Sequence, residues 1–372
     1  MLIGVDGNEA NVANRVGTGQ YTHYLLKHWQ KIASPKNSFR VYLSSPPNNW
    51  LPKENSCFSY SVFGPRKFWT QLALPVKLLF EKNKPDVFFS PAHYAPRLCP
   101  TKNVVAIHDL AYLTHPKEFK KRDRQQLISW TKYSIKQAKK IIAVSQNTKN
   151  DLIKFYQLPE EKVAVIYNGF DRNRFHTNLA KSSSQKIEEK YQIEGDYLVY
   201  LGTLQPRKNL ESLIRALPEI ISQHPKIKLV VIGKKGWLYS SIFSLVENLE
   251  LEKNIVFTGF VPDEEVPFLI AGARVFILPS LYEGFGITVL EAMACGVPVV
   301  VSKVSSLPEV VGEAGLYIDN PKNYAQIAQQ VNKILSSEKL AEELVKKGLA
   351  QTKQFSWEKC AKETLEEIKN TR

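Results

Sequence analysis

Four cysteines in 372 residues, Cys57, Cys99, Cys295 and Cys360, are too few and too scattered for a disulfide framework or a zinc site. No two stand in C-x-x-C spacing, and they read as reduced thiols of a cytosolic protein. No apolar run approaches the ~18 residues of a membrane-spanning helix. The opening Met1-Leu2-Ile3-Gly4-Val5-Asp6 lacks the basic lead and long apolar core of a signal peptide, and reads as a strand. Neither half of the chain opens with G-x-G-x-x-G, which argues against a nicotinamide dehydrogenase. No DNA- or RNA-binding motif is present, and no repeat or low-complexity tract beyond one short serine run. Acidic residues are outnumbered, 36 Asp and Glu against 50 Lys and Arg.

What is present is the composition of a globular protein, 44% hydrophobic and 11% aromatic. A single core stops growing near ~250–300 residues, so this length implies two domains. The net charge of +14 calls for an anionic partner. Half of it lies in Lys117 to Lys140, where nine basic residues face two acids. Leu127, Ile128, Trp130, Tyr133 and Ile135 interleave with the charges there. A second basic-aromatic stretch runs from Arg66-Lys67-Phe68-Trp69 to Lys77. An anionic membrane surface is the expected partner, since basic amphipathic helices bind there. A merely solvated helix face is the alternative.

Short β-rich runs alternate with helical patterns along the chain. The first half gives Leu2–Val5, Phe39–Leu43, Val87–Phe89, Val104–Ile107, Ile141–Val144 and Val163–Ile166. Helices such as Thr22–Ile32 and Thr148–Phe155 fall between them. The second half gives Tyr197–Leu201, Lys228–Ile232, Ile255–Thr258, Val275–Leu278, Val297–Val301 and Leu316–Ile318. Such alternation implies an α/β protein of two doubly wound parallel sheets, with ligands beyond the carboxyl ends of the strands. Lys181-Ser182-Ser183-Ser184-Gln185 reads as the linker. The expected domains are 1–180 and 181–355, with a last helix over 356–372 that opens on a Ser356 N-cap.

Glu283 and Glu291 stand eight positions apart in SLYEGFGITVLEAMACGVPVV. The first carboxylate lies in a Gly-rich turn, Glu283-Gly284-Phe285-Gly286. The second lies in the helix that this turn opens, from about Ile287 to Cys295. On one continuous helix they would be ~12 Å apart, too far to share an atom but suited to the two ends of a sugar nucleotide. Glycines at the helix N-terminus leave bare N–H groups for a diphosphate between them. Two surface glutamates on a solvated helix would share the spacing. The buried strand before the turn, and the Gly296-Val297-Pro298 turn with its valine run after it, favour the site.

A second motif, Gly202-Thr203-Leu204-Gln205-Pro206-Arg207-Lys208-Asn209, follows the strand Tyr197–Leu201. Two cations beside the start of a helix at Leu210 form a pyrophosphate clamp, the arginine as a planar fork and the lysine as a point charge. In the first domain, Gly17-Thr18-Gly19 lies in a loop before a helix and lets backbone approach a ligand closely. His108-Asp109 ends a buried strand, where crevice residues belong. Asp109 either fixes the imidazole or caps the next segment. His93 and Tyr94, after another strand, are candidates for the acceptor side. Ser145 reads as a helix N-cap.

The E-x7-E spacing and the G-x-x-x-x-R-K-N motif together resemble the retaining glycosyltransferases of family 4, the glycosyl transferases group 1. The likeness extends over nearly the whole chain, most densely from Val199 to Asp319. It implies a GT-B fold, two Rossmann-like domains facing a central cleft, with the last helix crossing back to the first. It further implies that Glu283 holds donor-sugar hydroxyls, helped by backbone around Gly284, Phe285, Gly286 and Ile287. Glu291 would hold the ribose, and Arg207 and Lys208 the departing diphosphate. Gly17, Gly19 and Gly202 would lie against the donor, and His108 against its sugar. No Asp-x-Asp pair occurs, so neither a metal nor another cofactor is expected. Retention would then use the departing phosphate oxygen as base; Glu283 as a covalent nucleophile is the weaker option.

The look of Val231-Ile232-Gly233-Lys234-Lys235-Gly236-Trp237 and of His108-Asp109 is closest to mannosyltransferases that use GDP-mannose, with a UDP-hexose donor as the alternative. The acceptor expected is a glycan or lipid-linked glycan at the cytoplasmic face of the cell membrane. Three other readings stay open on the same fold. They are a phosphorylase, a sugar-phosphate synthase and a non-catalytic nucleotide-sugar-binding protein.

Overall fold

The computed structural model describes residues 1–13, 15, 17–179 and 181–371, without the side chains at 181–183. Two compact units emerge: Met1–Gly169 with Phe355–Arg372, and Phe170–Gln354. The division falls before the expected 180/181 boundary; Ala180 itself lies outside the described residues. Residues beyond Gly169 are committed to the second unit. Phe170 and Phe175 are buried, Arg172 donates to the Thr352 and Lys353 carbonyls, and Arg174 donates to the Asp263 carbonyl. The serine stretch is no linker but part of a helix, Lys181–Lys190. No helix among the described residues is long and apolar enough to cross a membrane.

The first unit holds a seven-stranded parallel sheet. Its strands are β1 (Leu2–Asp6), β2 (Ser38–Leu43), β3 (Phe58–Val62), β4 (Val87–Ser90), β5 (Lys102–Ile107), β6 (Lys140–Ala143) and β7 (Val163–Val165). The spatial order is β3-β2-β1-β4-β5-β6-β7. The order reverses between β1 and β4, the switch point beyond which α/β sheets bind ligands. Interior strands such as β4 are buried at every residue, as parallel sheets covered on both faces require. Strand β3 is absent from the sequence-based expectation. It is an edge strand whose apolar residues alternate with serines, so it has no continuous apolar run.

The C-terminal helix Trp357–Asn370 packs within this first unit. Ser356 caps it, its side chain accepting from the Lys359 N–H. Trp357 stacks on Tyr24 at 5.1 Å between centroids, and buried Trp29 donates to the Ala361 carbonyl at 2.9 Å. The basic helix Lys121–Gln137 belongs to this unit as well. Leu127, Ile128 and Ile135 pack against the core of the unit, which leaves its polar and charged face outward.

The second unit holds a six-stranded parallel sheet of β8 (Tyr197–Leu201), β9 (Lys228–Ile232), β10 (Ile255–Gly259), β11 (Val275–Leu278), β12 (Val299–Ser302) and β13 (Gly315–Ile318). The order is β10-β9-β8-β11-β12-β13, with its switch point between β8 and β11. The Arg207 loop follows β8 and the Glu283 loop follows β11. Residues far apart in sequence therefore meet at the same carboxyl edge.

Candidate active site

In the second unit, the chain after β8 makes a short 3-10 turn, Pro206–Lys208, and only then the helix Leu210–Gln223. Arg207 and Lys208 thus precede the helix rather than forming its first turn. Asn209 stands between them in the left-handed region, at φ 54°. Its amide donates to the Pro279 and Pro321 carbonyls at 2.8 and 2.7 Å, while its oxygen accepts from Ser212. This side chain ties the Arg207 loop to the loop after β11. The Leu281 N–H adds a bond to the Arg207 carbonyl at 2.8 Å.

That tie brings both cations onto Glu283. Lys208 Nζ lies 2.6 Å from Glu283 Oε1, and Arg207 Nη1 lies 3.6 Å from Oε2. The Ser280 hydroxyl donates to Oε1 at 2.6 Å, and Ser305 accepts from the Glu283 N–H at 2.8 Å. Ser306 reaches the Glu283 and Phe285 carbonyls at 3.0 Å each. Glu283 is only 6% exposed. Burial pushes its carboxyl upward, but Lys208 and then Arg207 outweigh it and hold the group below the usual carboxylate range. It is an anion at neutral pH. Beside it the buried Tyr200 hydroxyl finds no hydrogen-bond partner among the described residues, and burial followed by the Glu283 charge pushes that phenol well up. Gly202, just past β8, donates to the Ile232 carbonyl at 2.9 Å.

The helix after the Gly-rich turn runs over Ile287–Ala294. Gly286 sits at φ 97°, a conformation L side chains rarely adopt, and a Cβ there would come 2.9 Å from Leu307 Cδ2. It breaks the chain between Gly284-Phe285 and Ile287, so Glu283 stands outside the helix that carries Glu291. The first-turn N–H groups of that helix have no acceptor within it. Glu291 is partly buried, and burial pushes its carboxyl up to about 8 against a weaker opposing pull from Arg174; Asp263 and Asp171 push the same way as burial.

In the first unit, Gly17 and Gly19 lie inside the helix Gly17–Ile32 rather than in a loop before it. A Cβ at Gly19 would come 2.6 Å from the Glu9 carbonyl oxygen, so only glycine lets this first turn pack on the Asn8–Asn11 turn. Thr18 donates to the Glu9 carboxylate at 3.3 Å.

His108 follows β5. Its Nε2 lies 2.7 Å from the Pro91 carbonyl, which can only accept, so Nε2 carries the proton and Nδ1 is left as an acceptor. The Tyr21 ring stands edge-on at 4.9 Å. Burial, helped by neighbouring His93, lowers its pKa to about 4. His93, at φ 63°, accepts from the His108 N–H at 3.2 Å through Nε2, and burial lowers its pKa too. Asp109 accepts from the Ala111 N–H at 3.0 Å, a turn just ahead of the helix Ala111–Thr114, and its charge also acts on His93 and His108. Tyr94 packs edge-on against Trp130 at 5.2 Å. Its phenol is pushed up to about 12 by burial and then by Glu9. Ser145 is the N-cap of the helix Gln146–Tyr156.

The second unit gathers Gly202, Arg207, Lys208 and Glu283 to Ile287, with Glu291 on the following helix among the charges of Arg174, Asp263 and Asp171; the first gathers His93, Tyr94, His108 and Asp109. Ser280, Ser305, Ser306, Asn209 and Arg174 were not singled out as site residues by sequence reasoning. Ser280 and Asn209 lie inside the motifs and were within reach of it. Ser305 and Ser306 come from a loop some twenty residues on, with no local signature. Asp6, at the end of β1, was also missed, and burial pushes its carboxyl up to about 7 against the Asn8 N–H.

Comparison with known proteins supplies the context. Residues 183–351 match the family model of glycosyl transferases group 1, and residues 17–174 that of glycosyltransferase family 4. O-antigen chain mannosyltransferase B of Escherichia coli is 35% identical over 290 residues, 77% of this chain and 74% of that protein. O-antigen chain mannosyltransferase RfbU of Salmonella typhimurium is 28% identical over 269 residues, covering 72% of this chain and 69% of its own. Among solved structures, Anabaena HepE, crystallised with UDP and glucose, superposes with a TM-score of 0.78 over 99% of both chains at 19% identity. At that identity the likeness speaks for the fold, the two-domain α/β arrangement of the GT-B class. With its two family matches in register with the two units, this chain belongs to the glycosyl transferases group 1 and is a glycosyltransferase.

Proposed function

We propose that the protein transfers mannose from GDP-mannose to a hydroxyl of a glycan or lipid-linked acceptor in cell-surface polysaccharide synthesis, with retention and without a metal. The observation that carries this reading is the buried Glu283 carboxylate held by Lys208 and Arg207 at the β8/β11 switch point. The mannosyltransferase relatives from Escherichia coli and Salmonella typhimurium support the choice of sugar.

Glu283 neutralises the two cations. A diphosphate entering beside Gly202 and the N-terminus of the Ile287–Ala294 helix competes for them. Lys208 and Arg207 then turn toward phosphate oxygens, and the freed Glu283 carboxylate accepts from donor-sugar hydroxyls. As the bond from C1 to the phosphate oxygen breaks, the cations take up the charge building on the leaving group, work a metal ion would otherwise do. The acceptor oxygen bonds to C1 on the same face, and its proton passes to the departing phosphate oxygen. No covalent bond to Glu283 is required. His108, in the first unit, is a neutral imidazole with Nδ1 left as an acceptor. Glu291 holds the ribose diol, with Arg174 offsetting part of its burial.

The test is an incubation with GDP-mannose or UDP-hexoses and a lipid-linked saccharide, in EDTA, with product followed by chromatography and its anomeric configuration by NMR. The reading predicts a mannosylated product of donor configuration from GDP-mannose alone. Product only from a UDP-hexose would overturn the mannose assignment. Turnover abolished by EDTA and restored by a divalent ion would overturn the metal-free mechanism.

A further inference from the structure

The segment after the Arg66-Lys67 pair forms a π-helical turn, Trp69–Ala73, that continues into the helix Leu74–Phe80. Its inner side, Trp69, Ala73, Leu74 and Leu78, is buried with Tyr42 and Phe88. Its outer side is apolar as well. Phe68, Leu72, Val76 and Phe80 recur every four residues and are 56%, 60%, 54% and 82% exposed. A helix apolar on two sides is ordinarily buried on both, and an exposed contiguous apolar face marks an interaction site.

The charges around this face are mainly basic. Arg66, Lys67, Lys82 and Lys84 are exposed around it, whereas Glu81 is mostly buried and engaged by Arg40 at 3.0 Å and Lys77 at 3.3 Å, and the exposed Asp86, two residues past Lys84, accepts from the Leu2 N–H at 2.7 Å. The loop at Arg97 joins this segment to the basic helix Lys121–Gln137. Arg97 donates to Gln71 at 2.8 Å and lies over the Tyr133 ring at 4.7 Å, while the Leu98 N–H donates to the Tyr133 hydroxyl at 2.9 Å. Leu98, 75% exposed, extends the apolar face between the two.

We infer that the outer face of Phe68–Phe80, with Leu98, docks the first unit onto an anionic lipid surface, its apolar side chains entering the headgroup boundary and the lysines and arginines meeting lipid phosphates. Apolar insertion combined with a mainly basic rim is what an interfacial helix requires. A second copy of the chain fits poorly, because a two-fold contact would press this positive rim against itself. The division of labour differs from a single basic amphipathic helix. Lys121–Gln137 supplies mainly charge, since Leu127, Ile128 and Ile135 pack on the core of the unit, and the 66–80 segment supplies the insertion. This surface is independent of which sugar the enzyme moves.

The experiment is flotation of the full chain with vesicles of equal parts phosphatidylglycerol and phosphatidylcholine, against vesicles of phosphatidylcholine alone. The variant Leu72→Ser/Val76→Ser/Phe80→Ser changes only exposed positions, and an unchanged thermal melt verifies its fold. Expected are binding to the anionic vesicles that weakens with added salt, weaker binding to neutral ones, and partitioning reduced roughly tenfold or more in the triple variant. Unchanged partitioning of the triple variant would overturn the inference, as would failure of the natural chain to float with anionic vesicles. A natural chain that is dimeric by light scattering, and monomeric in the triple variant, would assign the face to self-association instead. The vesicles carry neither donor nor acceptor, so failure here leaves the transferase reading untouched.

Discussion

Lys208 Nζ and Glu283 Oε1 are 2.6 Å apart, although 75 residues separate them in the chain. Arg207 joins them at 3.6 Å, so one buried carboxylate answers two cations. Breaking such a group by removing one member leaves uncompensated buried charge. We expect Glu283→Ala to cost about 3–5 kcal/mol in urea denaturation and Lys208→Met a comparable amount. The pair Lys208→Met/Glu283→Ala should be less destabilised than the two single effects added. Strict additivity would mean the contact carries no coupling.

Glu291 governs a pH dependence of opposite sign to that of Glu283. Its carboxyl is raised to about 8, so between its ordinary value of 4.5 and 8 the folded state binds more protons than the unfolded one. The stability it contributes is therefore greatest below 4.5 and is lost as pH rises through 8. Glu283, held low, contributes stability above the ordinary carboxylate range that is lost as pH falls. Glu291→Gln should raise the melting midpoint relative to the natural chain more at about pH 9 than at about pH 5. An identical difference at both pH values would contradict the raised pKa.

His108 should stay neutral through the physiological range. With its folded pKa lowered to about 4 from 6.5, it contributes stability that is fully present above 6.5 and is lost as pH falls toward 4. His108→Gln should flatten part of that acid loss in denaturant midpoints, the remainder belonging to His93 and other groups. It should also slow transfer at neutral pH without adding a new limb near pH 6.5 to the rate profile. A basic limb in the natural enzyme, the rate falling as pH rises through about 6.5, that vanishes in His108→Gln would assign the active form to the imidazolium instead.

Asn209 ties the Arg207 loop to the loop after β11. Asn209→Ala removes the bonds to the Pro279 and Pro321 carbonyls and places a residue ill suited to φ 54°. A loss of about 2–4 kcal/mol is expected from unpaired carbonyls and backbone strain together. Asn209→Gly relieves the strain alone and should recover only part of it. Full recovery by glycine would show that the side-chain ties contribute little.

Much of this was legible in the sequence. The strands of both sheets, apart from β3, show as short apolar runs because parallel strands covered on both faces have no polar side. The two motifs of the candidate site were visible because glycine, paired cations and spaced glutamates each have a chemical reason to stand together. Less was legible where one residue's role depends on another far along the chain. Nothing near Lys208 announces that Glu283 neutralises it, and nothing near Glu283 announces Ser305 and Ser306 beneath it. Gly17 and Gly19 suggested a loop because glycine is a poor helix former; packing on the Asn8–Asn11 turn overrides that propensity. The serine stretch at 181–185 read as a linker by composition, yet it opens a helix.

The most direct test of the central claim, that the Glu283–Lys208–Arg207 cluster is the donor-diphosphate site, is calorimetric titration of GDP-mannose, GDP, UDP-glucose and UDP into the natural chain and into Arg207→Ala, all in EDTA. The account predicts that GDP-mannose and GDP bind the natural chain, that UDP and UDP-glucose do not, and that Arg207→Ala weakens binding by about tenfold to a hundredfold. Undiminished binding in Arg207→Ala, or no binding of any nucleotide to the natural chain, would contradict it.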